Sequence, residues 1–334
     1  MIGLQIGAQV NDEVSVTALF VAKGEDDYEV EAELAYLTYA IDDSWDIRAG
    51  RLRVPFFYYS DFLDVGIAYP WIRPPEEVYR TTFNSFEGID TVYRGLHGSW
   101  SSTWHLFYGS TDRPFGNPED QQTFYYDNLM GFNIIFGNDW LTLRGGYLQT
   151  DVELSTLSSG LGEFYDTLRG VGFGAIADEL DFTVNNPADY VALAVNVDYQ
   201  DWLLNVEYTQ IGWDRTSVAF NDKAWFVMGG HRFDDITVHL TYAVKTDDPV
   251  FEVNTIPVGV NPQLDALAAG VNSLFANEEQ KSITAGIRYD LGGSMALKFD
   301  VTRFDSEVAE PLFAGQPAPQ EDGTLVSIGL DLVF

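Results

Sequence analysis

Leu325-Val326-Ser327-Ile328-Gly329-Leu330-Asp331-Leu332-Val333-Phe334 is the stretch that decides the fold. Val326, Ile328, Leu330, Leu332 and Phe334 share one face, while Ser327, Gly329 and Asp331 share the other. An apolar/polar period of two is a strand with one buried and one wet face. The same alternation recurs upstream. Trp202-Leu204-Val206-Tyr208 faces away from Asn205-Glu207-Thr209, and Ile236-Val238-Leu240-Tyr242-Val244 away from Thr237-His239-Thr241-Lys245. Val30-Ala32-Leu34-Tyr36 faces away from Glu29, Glu31 and Glu33. The chain reads as all-β.

Working outward, alternation predicts fifteen strands, at 2–10, 14–23, 29–41, 45–54, 88–95, 98–110, 127–136, 140–150, 188–199, 201–213, 222–232, 235–246, 281–290, 294–305 and 322–334. Short connections such as Asp42-Asp43-Ser44 and Phe233-Asp234 alternate with long ones at 55–87, 111–126, 151–187, 247–280 and 306–321. That alternation is the meander of a transmembrane antiparallel up-and-down β-barrel, with turns on the periplasmic side and loops outside. The apolar face carries many aromatics near strand ends, among them Tyr36, Trp45, Trp100, Trp104, Trp140, Trp202 and Trp225. Amphipathic rings settle at a membrane–water boundary. An odd count is unusual for a single-chain barrel. The first and last predicted strands both run inward, so the expectation is a sixteen-strand barrel with one further strand and a signal peptide before Met1. The alternative is a strand split or missed.

Composition narrows the function. There are 18 basic and 51 acidic residues, a formal net charge of −33, yet 46% of residues are hydrophobic and 15% aromatic. Such a chain is not disordered, and it lacks the basic footprint that a nucleic acid demands. With no cysteine there is no disulfide and no thiolate metal site. His97, His105, His231 and His239 show no metal-binding spacing, and no Walker loop, nucleophile elbow or dinucleotide fingerprint is present. The expectation is therefore no metal, no cofactor and no enzymatic activity. His105 and His239 fall on lumen faces as lining residues. The glycine-rich Gly170–Gly174 stretch reads as flexible loop, and 262–276 as a short amphipathic helix within a loop.

Segment 55–87 reads PFFYYSDFLDVGIAYPWIRPPEEVYRTTFNSFE. Its aromatics seek burial, which folding into a lumen supplies, and Pro70, Pro74 and Pro75 stiffen it. The other readings are a cap over the barrel or a contact with a neighbouring subunit. Over Gly50 to Tyr79, GRLRVPFFYYSDFLDVGIAYPWIRPPEEVY, the chain resembles the Gram-negative outer-membrane porins of the sixteen-stranded, usually trimeric kind. The motif covers about thirty residues, while the strand pattern covers the whole chain. The resemblance implies that 55–87 folds inward as a constriction loop. Its acids Asp61, Asp64, Glu76 and Glu77 would then face wall bases drawn from Arg48, Arg51, Arg53, Arg94 and Arg144. Arg51 and Arg53 share a strand face, with Arg48 on the other unless Gly50 marks a bulge. Phe334 would serve as a C-terminal signal to the barrel-assembly machinery. The remaining implied partners are outer-membrane lipid, lipopolysaccharide and a homotrimer.

Lumen acids Glu29, Glu31 and Glu33, with loop runs at Glu25-Asp26-Asp27, Asp178-Glu179-Asp181, Asp247-Asp248, Glu278-Glu279 and Glu321-Asp322, would concentrate cations. The expected function is a water-filled channel for small hydrophilic solutes, preferring cations. Two alternatives stand beside it. One is a substrate-specific channel with Phe107 and Tyr126 as a gliding track. The other is a soluble acidic all-β binding protein.

Overall fold

The computed structural model describes residues 1–24, 27–80, 83–115, 121–213, 220–249, 254–273, 278–292, 294–308 and 322–334. Glu25, Asp26 and Glu321 of the expected acidic runs, and 274–276 of the expected loop helix, lie outside them. Among the described residues fifteen strands form one sheet in strict sequence order, each antiparallel to the next. They are β1 (Ile2–Gln9), β2 (Val14–Ala22), β3 (Val30–Ala40), β4 (Trp45–Arg53), β5 (Ser85–His97), β6 (Trp100–Phe115), β7 (Gln122–Gly137) and β8 (Leu141–Leu154). β9 (Asn186–Tyr199), β10 (Trp202–Trp213), β11 (Phe220–Phe233), β12 (Ile236–Pro249), β13 (Glu278–Gly292), β14 (Met295–Val308) and β15 (Gly323–Leu332) follow. The sheet is not closed: no ladder joins β1 to β15 among the described residues. As odd-numbered members of one meander, the two edges run in the same direction.

The sheet is polar inside and apolar outside, the reverse of a water-soluble sandwich. On β15 the outward Val326, Ile328, Leu330 and Leu332 are exposed, and so are Leu193, Leu204, Leu240, Ile283 and Ile287 elsewhere. Asn205, Glu207, Thr241, His239, Lys298 and Asp300 point inward and are buried. In water this pattern would waste the hydrophobic effect, whereas against lipid it is what a spanning sheet requires. Aromatics gather at the turn end of the outward face. Trp140 meets Tyr199 with ring centroids 5.9 Å apart, Trp100 stacks on Phe136 at 4.7 Å, and Trp45, Trp202, Phe233 and Tyr289 are exposed beside them. None of the described helices is long and apolar enough to cross a membrane.

Two local details depart from the alternation. The β2–β3 ladder pairs Leu19 with Leu34 but Phe20 with Ala32, so Glu33 is an unmatched bulge residue. A bulge inverts the faces on either side of it. Tyr36 therefore turns inward, where its ring lies under the Arg48 guanidinium at 5.4 Å, and does not join the outward aromatics. Strands also run further toward the loop side than apolar patterning predicts. β6 and β7 continue through Asp112 opposite Tyr125 and Arg113 opposite Phe124. Beyond the apolar slab a ladder needs hydrogen bonds but no greasy face, so the period-two signal stops before the strand does.

The long connections carry helices. α1 (Glu76–Tyr79) lies between β4 and β5, α2 (Ser159–Gly170) and α3 (Gly174–Glu179) between β8 and β9, and α4 (Pro262–Ser273) between β12 and β13. Gly170 ends α2 and Gly174 starts α3, so the glycine-rich stretch is a tight helix–helix link with Gly172 at φ +94°. Tyr165, Leu168, Ile176 and Leu180 pack with Ile256, Ala268 and Val271 into a small second core, which joins two loops that are distant in sequence.

Candidate functional site

Residues 54–84 leave β4 and return to β5, and their described part lies against the inward face of the sheet. The contacts come from strands far apart in the meander, so the sheet must wrap around this segment. Arg144 on β8 donates to the carbonyls of Pro55 and Phe56, the latter at 3.1 Å. Arg288 on β13 donates to the carbonyls of Ile67 and Tyr69 at 2.7 and 3.2 Å. Lys298 on β14, fully buried, donates to the carbonyls of Gly66 and Trp71 at 2.6 and 2.7 Å and pairs with Asp331 at 2.7 Å. Acids of the wall take the opposite role. Glu207 accepts from the Tyr58 amide at 2.8 Å and the Tyr79 hydroxyl at 2.7 Å, and Asp300 accepts from the Ile72 amide at 2.8 Å. Each hydrogen bond to a charged group contributes about 1.5–3 kcal/mol. Gly66 has a steric reason to be glycine: a Cβ there would overlap the Asp331 carboxylate.

Between these ties the segment is aromatic. Phe56, Phe57, Tyr59, Tyr69 and Trp71 are buried together with Phe226 and Met228 of β11 and Tyr190 of β9. Trp71 also donates its indole N–H to Thr241 at 2.8 Å. Burial pushes the Tyr58, Tyr59 and Tyr79 hydroxyls up, and pushes Tyr69 up to about 12, with Asp331 and Asp64 adding to the last. All four stay neutral hydrogen-bonding groups near neutral pH. Phe107 and Tyr126 belong to the same packing: Phe107 meets Phe86 at 5.7 Å and Tyr126 meets Phe83 at 4.5 Å. Being buried, they offer no surface along which a solute could glide, and that expected track is withdrawn.

The opposite wall is wetter. Arg48 on β4 forks onto Asp90 of β5 at 2.8 and 2.6 Å, and His105 Nε2 lies 2.7 Å from the same carboxylate. Arg94 pairs with Asp46 at 2.6 Å and keeps half its surface in solvent. Asp61, exposed in the 3-10 turn Ser60–Phe62, is within electrostatic reach of Arg48. Gly50 sits at φ +134° without breaking register on either side of β4, so it is no bulge. Arg48 therefore shares the inward face with Asp90. Arg51 lies on the other face, bonded to Glu87 at 2.6 Å and the Ala32 carbonyl at 3.0 Å. Arg53 has the same strand parity as Arg51, yet it is buried between Glu33 at 2.8 Å and the loop's Asp64.

The remaining candidates are dispersed. Glu77 is buried and accepts from Gln280 at 3.0 Å, whereas Glu76 is exposed in the first turn of α1. Glu31 is exposed on β3 opposite Val21, and Glu29 is exposed just before that strand. Phe334 is fully exposed past the end of β15. Arg144 is sequestered by loop carbonyls, with Glu207 at 3.8 Å, and is not presented to solvent. Sequence reading missed Lys298 and Arg288 as loop-holding groups. Their signal was a cation on the polar face of an otherwise alternating strand. His239, near Asp300 at 3.4 Å, is likewise a wall group with a carboxylate beside it. Among the described residues no group of three or more potential ligands could hold a metal ion.

No family model matches the sequence, and no curated protein matches it. Solved structures match in shape. A loop L8 deletion mutant of OmpT, an outer membrane protein of Vibrio cholerae, aligns over 99% of this chain and 89% of its own, at 13% identity and TM-score 0.59. OmpF of Salmonella typhi aligns over 98% and 88%, at 14% identity and TM-score 0.55. The outer membrane channel DcaP of Acinetobacter baumannii aligns over 99% and 82%, at 10% identity and TM-score 0.52. A trimer form of OmpT and a mutant Rh. blastica porin match as well. The fold is that of the outer-membrane β-barrels. The reading of this barrel as a Gram-negative outer-membrane fold holds, and the soluble binding protein is set aside. The expectation that the barrel is not an enzyme is corrected: OmpT structures stand beside porins among proteins of this fold, and that mixture removes the ground for excluding catalysis.

Proposed function

We propose that the chain is an outer-membrane channel giving small hydrophilic solutes and ions passive passage, with a preference for cations. The observation that carries the reading is the segment between β4 and β5, held by its backbone to Arg144, Arg288 and Lys298 on the inward face of the sheet, with Asp61 in electrostatic reach of Arg48. A fixed obstruction inside a polar lumen sets an aperture, and opposed charges across it set a transverse field. The net charge of −33 supports cation preference, since acids outnumber bases throughout the chain. Structural likeness to a porin and to an outer membrane channel supports the channel reading, and likeness to a trimer form supports a homotrimer. Phe334 on its alternating strand suits recognition by barrel-assembly machinery, and the acidic loops suit divalent bridging to lipopolysaccharide.

Reconstitution into planar bilayers tests this directly. Stepwise conductance, with a reversal potential of cation sign in a potassium chloride gradient, is expected. An absence of conductance overturns the channel, and a reversal potential of anion sign overturns the preference.

A further inference from the structure

Below the inward segment, toward the turn-side mouth, lies a cavity of about 320 Å³ that the aperture does not use. Its roof is Tyr58, Tyr59 and Tyr69 of the segment, and its walls are the turn-side ends of β9 to β13. Two guanidinium–carboxylate forks line it. Arg232 meets Asp198 through both nitrogens at 2.6 Å, and Arg288 meets Asp290 at 2.9 and 2.7 Å. Each fork cancels its own charge while leaving lone pairs and N–H groups at its edges. Asn196 and Thr237 add neutral donors and acceptors. The rings of Tyr58 and Tyr59 stand at right angles, 4.8 Å apart.

This chemistry selects its ligand. An ion entering here would give up water and meet no uncompensated opposite charge. A flat molecule with an apolar C–H face and a rim of hydroxyls would lay that face on Tyr58, the one half-buried ring of the three, and bond its rim to the planar polar groups. The volume falls at the small end of ligand pockets, roughly 300–1,000 Å³. We propose that this cavity is a binding site for a neutral polyhydroxylated solute of mono- to disaccharide size, placed in series with the aperture. The proposal rests on the channel reading for its consequence, though not for the binding itself.

Sucrose is the probe. Added to the reconstituted full chain in planar bilayers, it should block ion current saturably, and more strongly from one face of the membrane than from the other. The double variant Asp198→Ala with Arg232→Ala removes one fork without stranding a charge. It should conduct as the parent does but need about tenfold more sucrose for half block, the loss that goes with one charged hydrogen-bonding group. Saturation-transfer NMR on the detergent-solubilised chain reads binding without conduction. Transfer to sucrose that weakens in the double variant supports the site even if no current is seen, in which case only the channel reading fails. A conducting parent with no saturable block and no transfer overturns the site alone. So does a double variant that binds as the parent does, or sodium benzoate blocking better than sucrose.

Discussion

Two arginines on the inward face of the sheet illustrate two uses of a charge. Arg144 is sealed under the inward segment and spends its donors on the carbonyls of Pro55 and Phe56. Arg94 pairs with Asp46 and keeps half its surface in water. The difference extends to whole regions. Arg144, Glu207, Arg288, Lys298 and Asp300, on β8, β10, β13 and β14, are tied to loop backbone, whereas Arg48, Asp90, Arg94 and Asp46, on β4 and β5, are satisfied by one another and by solvent. The first region anchors and the second presents a field. A lumen-facing charge is thus a structural part or a functional part according to what covers it, and residue type alone does not distinguish the two.

The largest expected effect falls on the anchoring region. Lys298→Met removes the donor to Gly66 and Trp71 and strands Asp331, so it should cost about 3–5 kcal/mol, as breaking buried pairs does. The urea midpoint of the detergent-folded protein reads it. A pattern of stability unchanged in Lys298→Met but lost in Arg94→Ala would invert the comparison. Next comes pH. Tyr69 is pushed up to about 12 from a usual value near 10, so the folded state holds its proton longer than the unfolded state. That contribution is fully present below pH 10 and is lost as pH rises from 10 to 12, amounting to roughly 2–3 kcal/mol. Tyr69→Phe should flatten this alkaline loss, and an unchanged slope would place the effect elsewhere.

How much of this was legible beforehand follows from the same contrast. The outward face was readable because lipid imposes one rule on every second residue, and Val326, Ile328, Leu330 and Leu332 obey it without exception. The inner face obeys no such rule. Glu33 shows why: one unmatched residue turned Tyr36 from the outward face to the lumen, and nothing in the local composition announces a bulge. Gly50 shows the converse, a glycine that suggested a bulge and instead serves a φ of +134° in an unbroken ladder. Arg48, not Arg51, consequently shares the face of Asp90. Asp64 and Arg53 do meet. Lys298 was hidden because its partners are main-chain carbonyls of a segment more than 200 residues away, and main-chain groups leave no trace in side-chain patterning.

The field-presenting region should respond in selectivity, and its exposed groups should do so with little change in stability. Asp61→Asn should move the reversal potential in a salt gradient toward zero, and Arg48→Ala should move it away. Asp61→Asn, on the surface, should keep folding free energy within about 0.5 kcal/mol of the parent. Matching shifts from both substitutions would show that the two groups do not oppose one another. Smallest of all, Arg94→Ala should change stability by at most about 1 kcal/mol, as exposed ion pairs do. Raising the salt concentration should erase even that difference.

The inward segment is gripped at Pro55, Phe56, Gly66, Ile67, Tyr69 and Trp71 through their carbonyls, and at Tyr58 and Ile72 through their amides. Carbonyls and amides are common to every residue type apart from proline's missing N–H. Gly66 apart, where a Cβ would overlap Asp331, the grip therefore tolerates replacement of side chains that do not themselves fill the packed core. Exposed positions such as Asp61, Phe62 and Arg73 are left as a set of variable letters on a fixed scaffold. In the channel proposed above, substitutions at these positions would retune, one at a time, what passes, with the aperture's supporting structure left intact at each step.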